Sequence, residues 1–438
     1  MKKQIIYFLV ILSLFCTNKI NAQNNRLTLE DAIKIGLENN YDIKLSKNLK
    51  EISANDLKYG ISGMLPVVTG NLTDVNNVQT SEVELSNGGT RNADNAKTTN
   101  LNYGASLNWR IFDGFQMFTN YDKLKEFDRL GELNVKSNIQ ATIADIIASY
   151  FDLVSQEQQL DATQTALEVS QTRLKNADSR YKIGKGSKLE LLAAKVDLTA
   201  DSSLLLRQRG QYSTSKTKLN ELLARDLNTS FNISDTIIVD KSLSYETLQQ
   251  QLSSQNPQLQ IAAVNQKLSE LNLKSVRGAR YPTIALTSGY NFAKTTSPPT
   301  GFSIRSNSHG FNYGITASVN IFNGLQQNKN EKNAKIELNN SKLNTEKIIQ
   351  NVNAQLINLY SDYQTNLRLV ELEKRNVDVA EENLKITLEK YKLGSIGPLE
   401  LREAQRNFVD ANARFSNAQF KAKLAEISLR ELAGTIEL

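Results

Sequence analysis

The chain has 438 residues and a formal net charge of +6, from 52 basic and 46 acidic side chains, with one histidine and one cysteine. Lys2, Lys3 and Lys19 lie in an N-terminal stretch built like a secretory signal, so the rest of the chain is close to neutral. It has no basic patch of the kind that binds nucleic acid, and too few histidines and cysteines for a metal centre.

In residues 1–22, Lys2-Lys3 precede the apolar run Ile5–Phe15, and Ala22 supplies a small residue at the cut. Cys16 follows Phe15, where a lipoprotein signal needs a small residue, so cleavage after Ala22 is expected. The mature chain then starts at Gln23 and contains no cysteine. No later segment has the continuous apolar run of a transmembrane helix. A membrane crossing would therefore have to be made by strands.

Thr28 caps a helix that starts at Leu29 with acids in its first turn and runs to about Gly60, interrupted at Asn39-Asn40. Gly60, Gly63 and Pro66 end it, and Val67–Thr80 reads as a strand. The polar, Gly/Asn-rich stretch Ser81–Asn100 reads as an exposed loop. A second strand follows in Tyr103–Gln116, YGASLNWRIFDGFQ, where Tyr103, Ala105, Leu107, Trp109 and Ile111 alternate with smaller or polar residues. Asp113-Gly114 breaks this strand.

From Phe115 to Lys182 there is no proline and one glycine. Ile139, Ile146, Leu153, Leu160, Leu167, Leu174 and Tyr181 recur every seven residues, which implies left-handed coiling against a neighbour. The companion positions Thr142, Ser149, Gln156, Thr163, Ser170 and Ala177 are small or polar, so the seam reads as narrow and the rest of the helix as facing water. A tip at Tyr181, Gly184 and Gly186 turns the chain into a return helix, about Ser187–Arg225, with its own heptad at Leu191, Leu198, Leu205, Tyr212 and Leu219. Residues 226–245 form a connector with one β-like run, Thr236–Val239.

The plan then repeats at an offset of 210 residues. Tyr313–Gln326, YGITASVNIFNGLQ, matches the earlier stretch at six of fourteen positions, with Asn323-Gly324 as its break. The second copy reads as helix Glu246–Gly278, strand Pro282–Phe292, loop Ser297–Gly310 and strand Phe311–Phe322. Its heptad is Ile349, Leu356, Tyr363, Val370, Val377, Leu384 and Tyr391. Its tip lies at Tyr391, Gly394 and Gly397, and its return heptad is Leu401, Phe408, Phe415, Ala422 and Leu429. The domain reading is 1–22 signal peptide, 23–225 first repeat, 226–245 connector and 246–438 second repeat.

Four amphipathic strands are too few to close a membrane barrel, whose smallest form has eight. The lone His309 falls in the Ser/Gly-rich loop reading, with no partner for catalysis, so neither an enzyme nor a cofactor is expected. A periplasmic coiled-coil adaptor or adhesin-like structural protein would fit the heptads but not the duplicated strand pairs.

The tandem plan, the IFDGF and IFNGL strand ends and the YKIG and YKLG tips resemble the TolC-like outer membrane factor family across essentially the whole mature chain. The resemblance implies a mainly α fold with membrane β: two long coiled helical hairpins plus four transmembrane strands per chain. It implies a homotrimer, with a twelve-stranded barrel in the lipid of the outer membrane and a helical tunnel in the periplasm. A periplasmic adaptor (membrane fusion) protein and an inner-membrane transporter would be partners, in efflux or type I secretion. Gly184 and Gly394 match the family's tip glycines, which the adaptor contacts. Glu400 and Glu403, three apart and hence on one helix face, match the acidic positions that ring the family's periplasmic aperture. Glu190 is the one acid retained in the first copy, with Ala193 at the second position.

Overall fold

The computed structural model describes residues 26–233, 235–298 and 303–436. The expected signal peptide, 1–22, and the expected start at Gln23 lie outside them. The elements are α1 (Leu29–Asn39), α2 (Tyr41–Tyr59), β1 (Val67–Glu84), β2 (Thr90–Phe112), α3 (Gln116–Lys182), α4 (Lys188–Leu222), α5 (Tyr245–Gln255), α6 (Pro257–Gly278), β3 (Thr283–Thr296), β4 (Arg305–Ser318), α7 (Gln326–Lys392) and α8 (Pro398–Ala433). The fold is mainly helical, with one small antiparallel sheet. Contacts divide it into two units that cut across the sequence repeats. One holds the chain up to Lys44, Asn138–Asn256 and the chain from Val352 on; the other holds Leu45–Ser137 and Pro257–Asn351.

The first unit is built on the heptads. Leu356, Tyr363, Val377, Leu384 and Tyr391 of α7 are buried, as are Leu191, Leu205 and Leu219 of α4 and Leu401, Phe408, Ala422 and Leu429 of α8. In α3, however, the expected water-facing companions Thr142, Thr163, Ser170 and Ala177 are buried. Small side chains there let α7 and α8 approach closely, with Ala162 and Val169 packing against Leu384, Tyr391, Leu401 and Phe408. The main core lies where α1, α3, α4 and the connector meet, around Ile33, Ile146, Leu153, Leu219, Phe231 and Ile237. The run Thr236–Val239 is not a strand: Ile237 anchors it by its side chain, and no backbone among the described residues pairs with it.

Two asparagines break helices and reach across to a distant carbonyl. Asn40 interrupts the first helix, accepts from the N–H groups of Asp42 and Ile43, and donates to the carbonyl of Leu222 (3.0 Å). Asn256, before Pro257, likewise donates to a carbonyl near the end of a long return helix, that of Leu432 (2.7 Å). The helix read as Glu246–Gly278 is therefore two helices, because proline takes the first helical position and the preceding residue turns extended.

In the second unit the sheet order is β1-β2-β3-β4, all antiparallel. Ser81–Asn100 is not a loop. β1 continues to Glu84, β2 begins at Thr90, and only a short turn with Gly88 at φ +82° lies between them. Polar side chains bond across the rungs, as Thr99 does to Asn76 (2.7 Å) and Thr295 to Asn100 (2.9 Å), so polarity does not prevent the ladder. β4 starts six residues earlier than the alternation suggested and stops at Ser318, opposite the first residue of β3, because no partner strand lies beyond it. His309 consequently sits in β4, beside the ring of Phe292 (5.9 Å between centroids), and not in a loop.

The register sorts the two faces. The rungs Leu72–Tyr103–Phe292–His309, Gly70–Ala105–Tyr290–Phe311, Val68–Leu107–Ser288–Tyr313 and Trp109–Leu286–Ile315 share one face. The opposite face carries Asn71–Gly104–Asn291–Gly310, Thr69–Ser106–Gly289–Asn312 and Val67–Asn108–Thr287–Gly314. Ile111 is the extra residue of a bulge, so Phe112 takes the rung opposite Ile284. Strand then gives way to helix by the same device twice. Asp113 and Asn323 accept from the N–H groups of Met117 (3.0 Å) and Gln327 (3.3 Å). The pairs Gly114-Phe115 and Gly324-Leu325 turn left-handed.

Candidate functional site

The ends of α3 and α7 are built alike. Gly184 and Gly394 have φ of +73° and +74°, and a Cβ on either would meet nothing within 4 Å. Glycine serves the backbone there, not packing. Lys185 and Gly186 donate to the carbonyl of Arg180 (2.8 and 2.9 Å), and Ser395 donates to that of Lys390 (2.9 Å). Gly186 lies close against Arg180. Ser187 caps α4 by accepting from Glu190 N–H (3.1 Å), whereas Gly397 and Pro398 start α8 without a side-chain cap. Each tip exposes a matched pair of apolar side chains, Ile183 and Leu189 in one, Leu393 and Leu399 in the other.

Tyr181 is partly exposed, but Tyr391 is buried. Burial raises the pKa of Tyr391, and the charge of Glu190, which faces its hydroxyl, raises it further. Glu190 also lies 3.6 Å from Arg180 and is mostly covered. The first-copy acid is thus engaged. Glu400 and Glu403 are exposed on the first turns of α8, and neither makes a salt bridge among the described residues.

Arg402, the cation nearest to them in sequence, turns to the other helix pair. It contacts Asp201 (2.7 Å) and Asp197 (3.7 Å) of α4. Arg173 of α3 also holds Asp197 (2.5 Å). Gln405, 1% exposed, donates to the carbonyl of Ala166 (2.6 Å) and to Asp201 (3.0 Å), and Ser170 donates to the same carboxylate. Sequence reasoning missed this network. Its one local signal was the pair Asp197 and Asp201, four apart and so on one helix face. Of the other expected site residues, Gly114 is packed so tightly that a Cβ would lie 2.1 Å from the carbonyl oxygen of Gly278, while Gly324 faces open space.

Comparisons with known proteins agree with one another. The family model for outer membrane efflux proteins matches residues 71–225 and 248–435. The outer membrane efflux protein BepC of Brucella suis is 19% identical over 409 residues, which cover 93% of this chain and 85% of the relative. The outer membrane protein TolC of Vibrio cholerae is 21% identical over 193 residues, 44% of each chain. The crystal structure of the CmeC outer membrane channel of Campylobacter jejuni superposes with a TM-score of 0.77 at 17% identity, covering 93% of this chain and 85% of that one. A strand pair joined to long coiled helices, made twice and matched by one family model through both copies, makes this chain a member of the outer membrane efflux protein family.

Proposed function

We propose that three copies of this chain form the exit duct of a tripartite efflux pump or a type I secretion system. The observation that carries this reading is the sheet. One face is apolar over Tyr103–Phe112, ten residues of β2, and a tilted transmembrane strand uses about 9–11. The other face is lined by Asn, Ser, Thr and Gly, as the wall of an aqueous lumen would be. Yet among the described residues β1 and β4 each leave an edge unpaired, and open edges are not tolerated in lipid. Pooling strands between copies removes the edges, and three copies give twelve strands.

The helices support the same assembly. In the first unit α4 exposes Leu192, Val196 and Leu206, and α7 exposes Leu372, Val379 and Ile386. In the second, α2 exposes Leu45, Leu49 and Ile52, and α7 exposes Ile336 and Leu343. Such stripes suit head-to-tail packing of copies around a ring. The tips, with Tyr181, Gly184, Gly186, Tyr391, Gly394 and Gly397, form the docking surface for a periplasmic adaptor that joins the duct to an inner-membrane transporter. Their exposed Ile183, Leu189, Leu393 and Leu399 supply apolar contact. Glu400 and Glu403 ring the aperture. The repeats 23–225 and 246–438 are copies of one ancestral unit joined by the connector 226–245.

Native mass measurement of the detergent-solubilised protein is expected to return a trimer. A monomer that still conducts ions across a bilayer would overturn the assembly.

A further inference from the structure

We infer a phospholipid-binding pocket at the helical edge of the sheet, selective for an aminophospholipid head group. A cavity of about 540 Å3 lies between the start of α3 and the last turns of α6. Its upper wall is aromatic: Phe115 packs edge-on to Tyr281 (6.3 Å between centroids) and lies 6.5 Å from Phe118, with all three rings exposed. Phe115 also packs edge-on to Phe112 (5.1 Å), which belongs to the apolar face of the sheet. The pocket is therefore continuous with the surface that meets lipid tails, at the level where aromatic side chains gather at a membrane interface.

The polar wall has an order. Arg277, Lys274 and Glu270 line the cavity at spacings of three and four, which places them down one face of α6 from the sheet outward, and Tyr281 lines it from the turn that follows the helix. Lys274 and Arg277 make no salt bridge among the described residues; the neighbouring carboxylate of Glu331 is already held by Arg280. Glu270 pairs with Lys267 at 3.4 Å across a largely exposed contact. Apolar rings, then two cations, then a carboxylate reproduce the sequence of acyl chain, phosphate and ammonium in an aminophospholipid whose tails point into the bilayer. Lys274 and Arg277 take the phosphate oxygens through charge-assisted hydrogen bonds, and Glu270 takes the ammonium. The two cations alone would accept any phospholipid; Glu270 supplies the preference.

This inference rests on the sheet spanning the bilayer. The test uses the detergent-purified protein titrated with dioleoyl phosphatidylethanolamine or dioleoyl phosphatidylglycerol, which share acyl chains, with bound lipid read by native mass spectrometry. The amine lipid is expected to half-saturate the protein at about tenfold lower concentration than the glycerol lipid. Lys274→Gln with Arg277→Gln should weaken both by about tenfold or more. Glu270→Gln should erase the difference between lipids and leave the glycerol lipid unchanged. Equal binding by the wild type and the Lys274→Gln/Arg277→Gln variant would overturn the pocket. So would a variant that binds both lipids normally but loses its oligomer, since the cations would then contact another copy. A wild-type protein that is recovered outside the membrane fraction and retains neither lipid would overturn the bilayer-spanning sheet itself.

Discussion

Glu431 carries its carboxylate into the last turn of α8, where burial raises its pKa and the charge of Asp145 raises it further. Asp145 is itself raised by burial, against an opposing pull from Lys218. Both groups hold a proton more readily folded than unfolded. Their unfavourable contribution is thus absent below the ordinary carboxylate range, about pH 4, and grows as pH rises through the raised folded values. Glu431→Gln is expected to raise the thermal midpoint by about 2 °C at pH 8 and to lose that gain by about pH 4. A gain that is equal at both pH values would point to packing as the cause. Neither residue could be singled out in the sequence, because the pair lies 286 positions apart and meets only through the contact of α3 with α8. Gly114 and Gly324 were legible as breaks, since Asp-Gly and Asn-Gly after an alternating run need no long-range information. That Gly278 crowds only the first of them was not legible.

Between elements, the network at Arg402 ties α8 to α3 and α4. Asp201 accepts from Arg402, Gln405 and Ser170, and its side chain is 10% exposed. Removing the cation alone leaves a covered carboxylate without its countercharge. Arg402→Met is expected to destabilise the protein by about 3 kcal/mol, and adding Asp201→Asn should recover most of that loss. Denaturation of the solubilised single and double variants measures both; an additive pair would mean the two groups are not coupled. The heptads named most of the residues that α7 buries, half of those in α4 and a minority of those in α8. They did not reveal that α3 is covered on its small-residue side, because a period in one helix does not say how many neighbours pack around it. Similarly, alternation located the strands, but pairing set their ends. β4 stops where β3 has no residue left to offer, and polar β1 and β2 continue because each has the other.

At the scale of the proposed assembly, the decisive groups are those left without a partner among the described residues of one chain: two sheet edges, apolar helix stripes and the carboxylates of Glu400 and Glu403. In the proposed trimer six carboxylates surround one constriction and concentrate cations there. Arg402 does not neutralise Glu400 or Glu403, since Asp197 and Asp201 hold it. Replacing Glu400 and Glu403 with Ala is expected to weaken cation selectivity and the block by multivalent cations added on the periplasmic side of single channels in a planar bilayer. Unchanged selectivity and block would place both residues outside the pore. Conductance through trimers should survive the change, since the aperture and the duct are separate parts.

The sequence by itself determined the two-residue period of the sheet, the seven-residue period of the helices and the glycine turns between them. Each of these depends on residues within a few positions of one another, so backbone geometry and solvent exposure decide it locally. The tertiary structure decided how far the strands extend, that Asn256-Pro257 splits a helix to reach Leu432, and which side of α3 is buried. It also decided which acids are occupied: among the described residues Glu190, Asp197 and Asp201 have cations, and Glu400 and Glu403 do not. A charged side chain pairs with whatever the packing brings within reach, and for Arg402 that was a carboxylate 201 positions away in the other repeat.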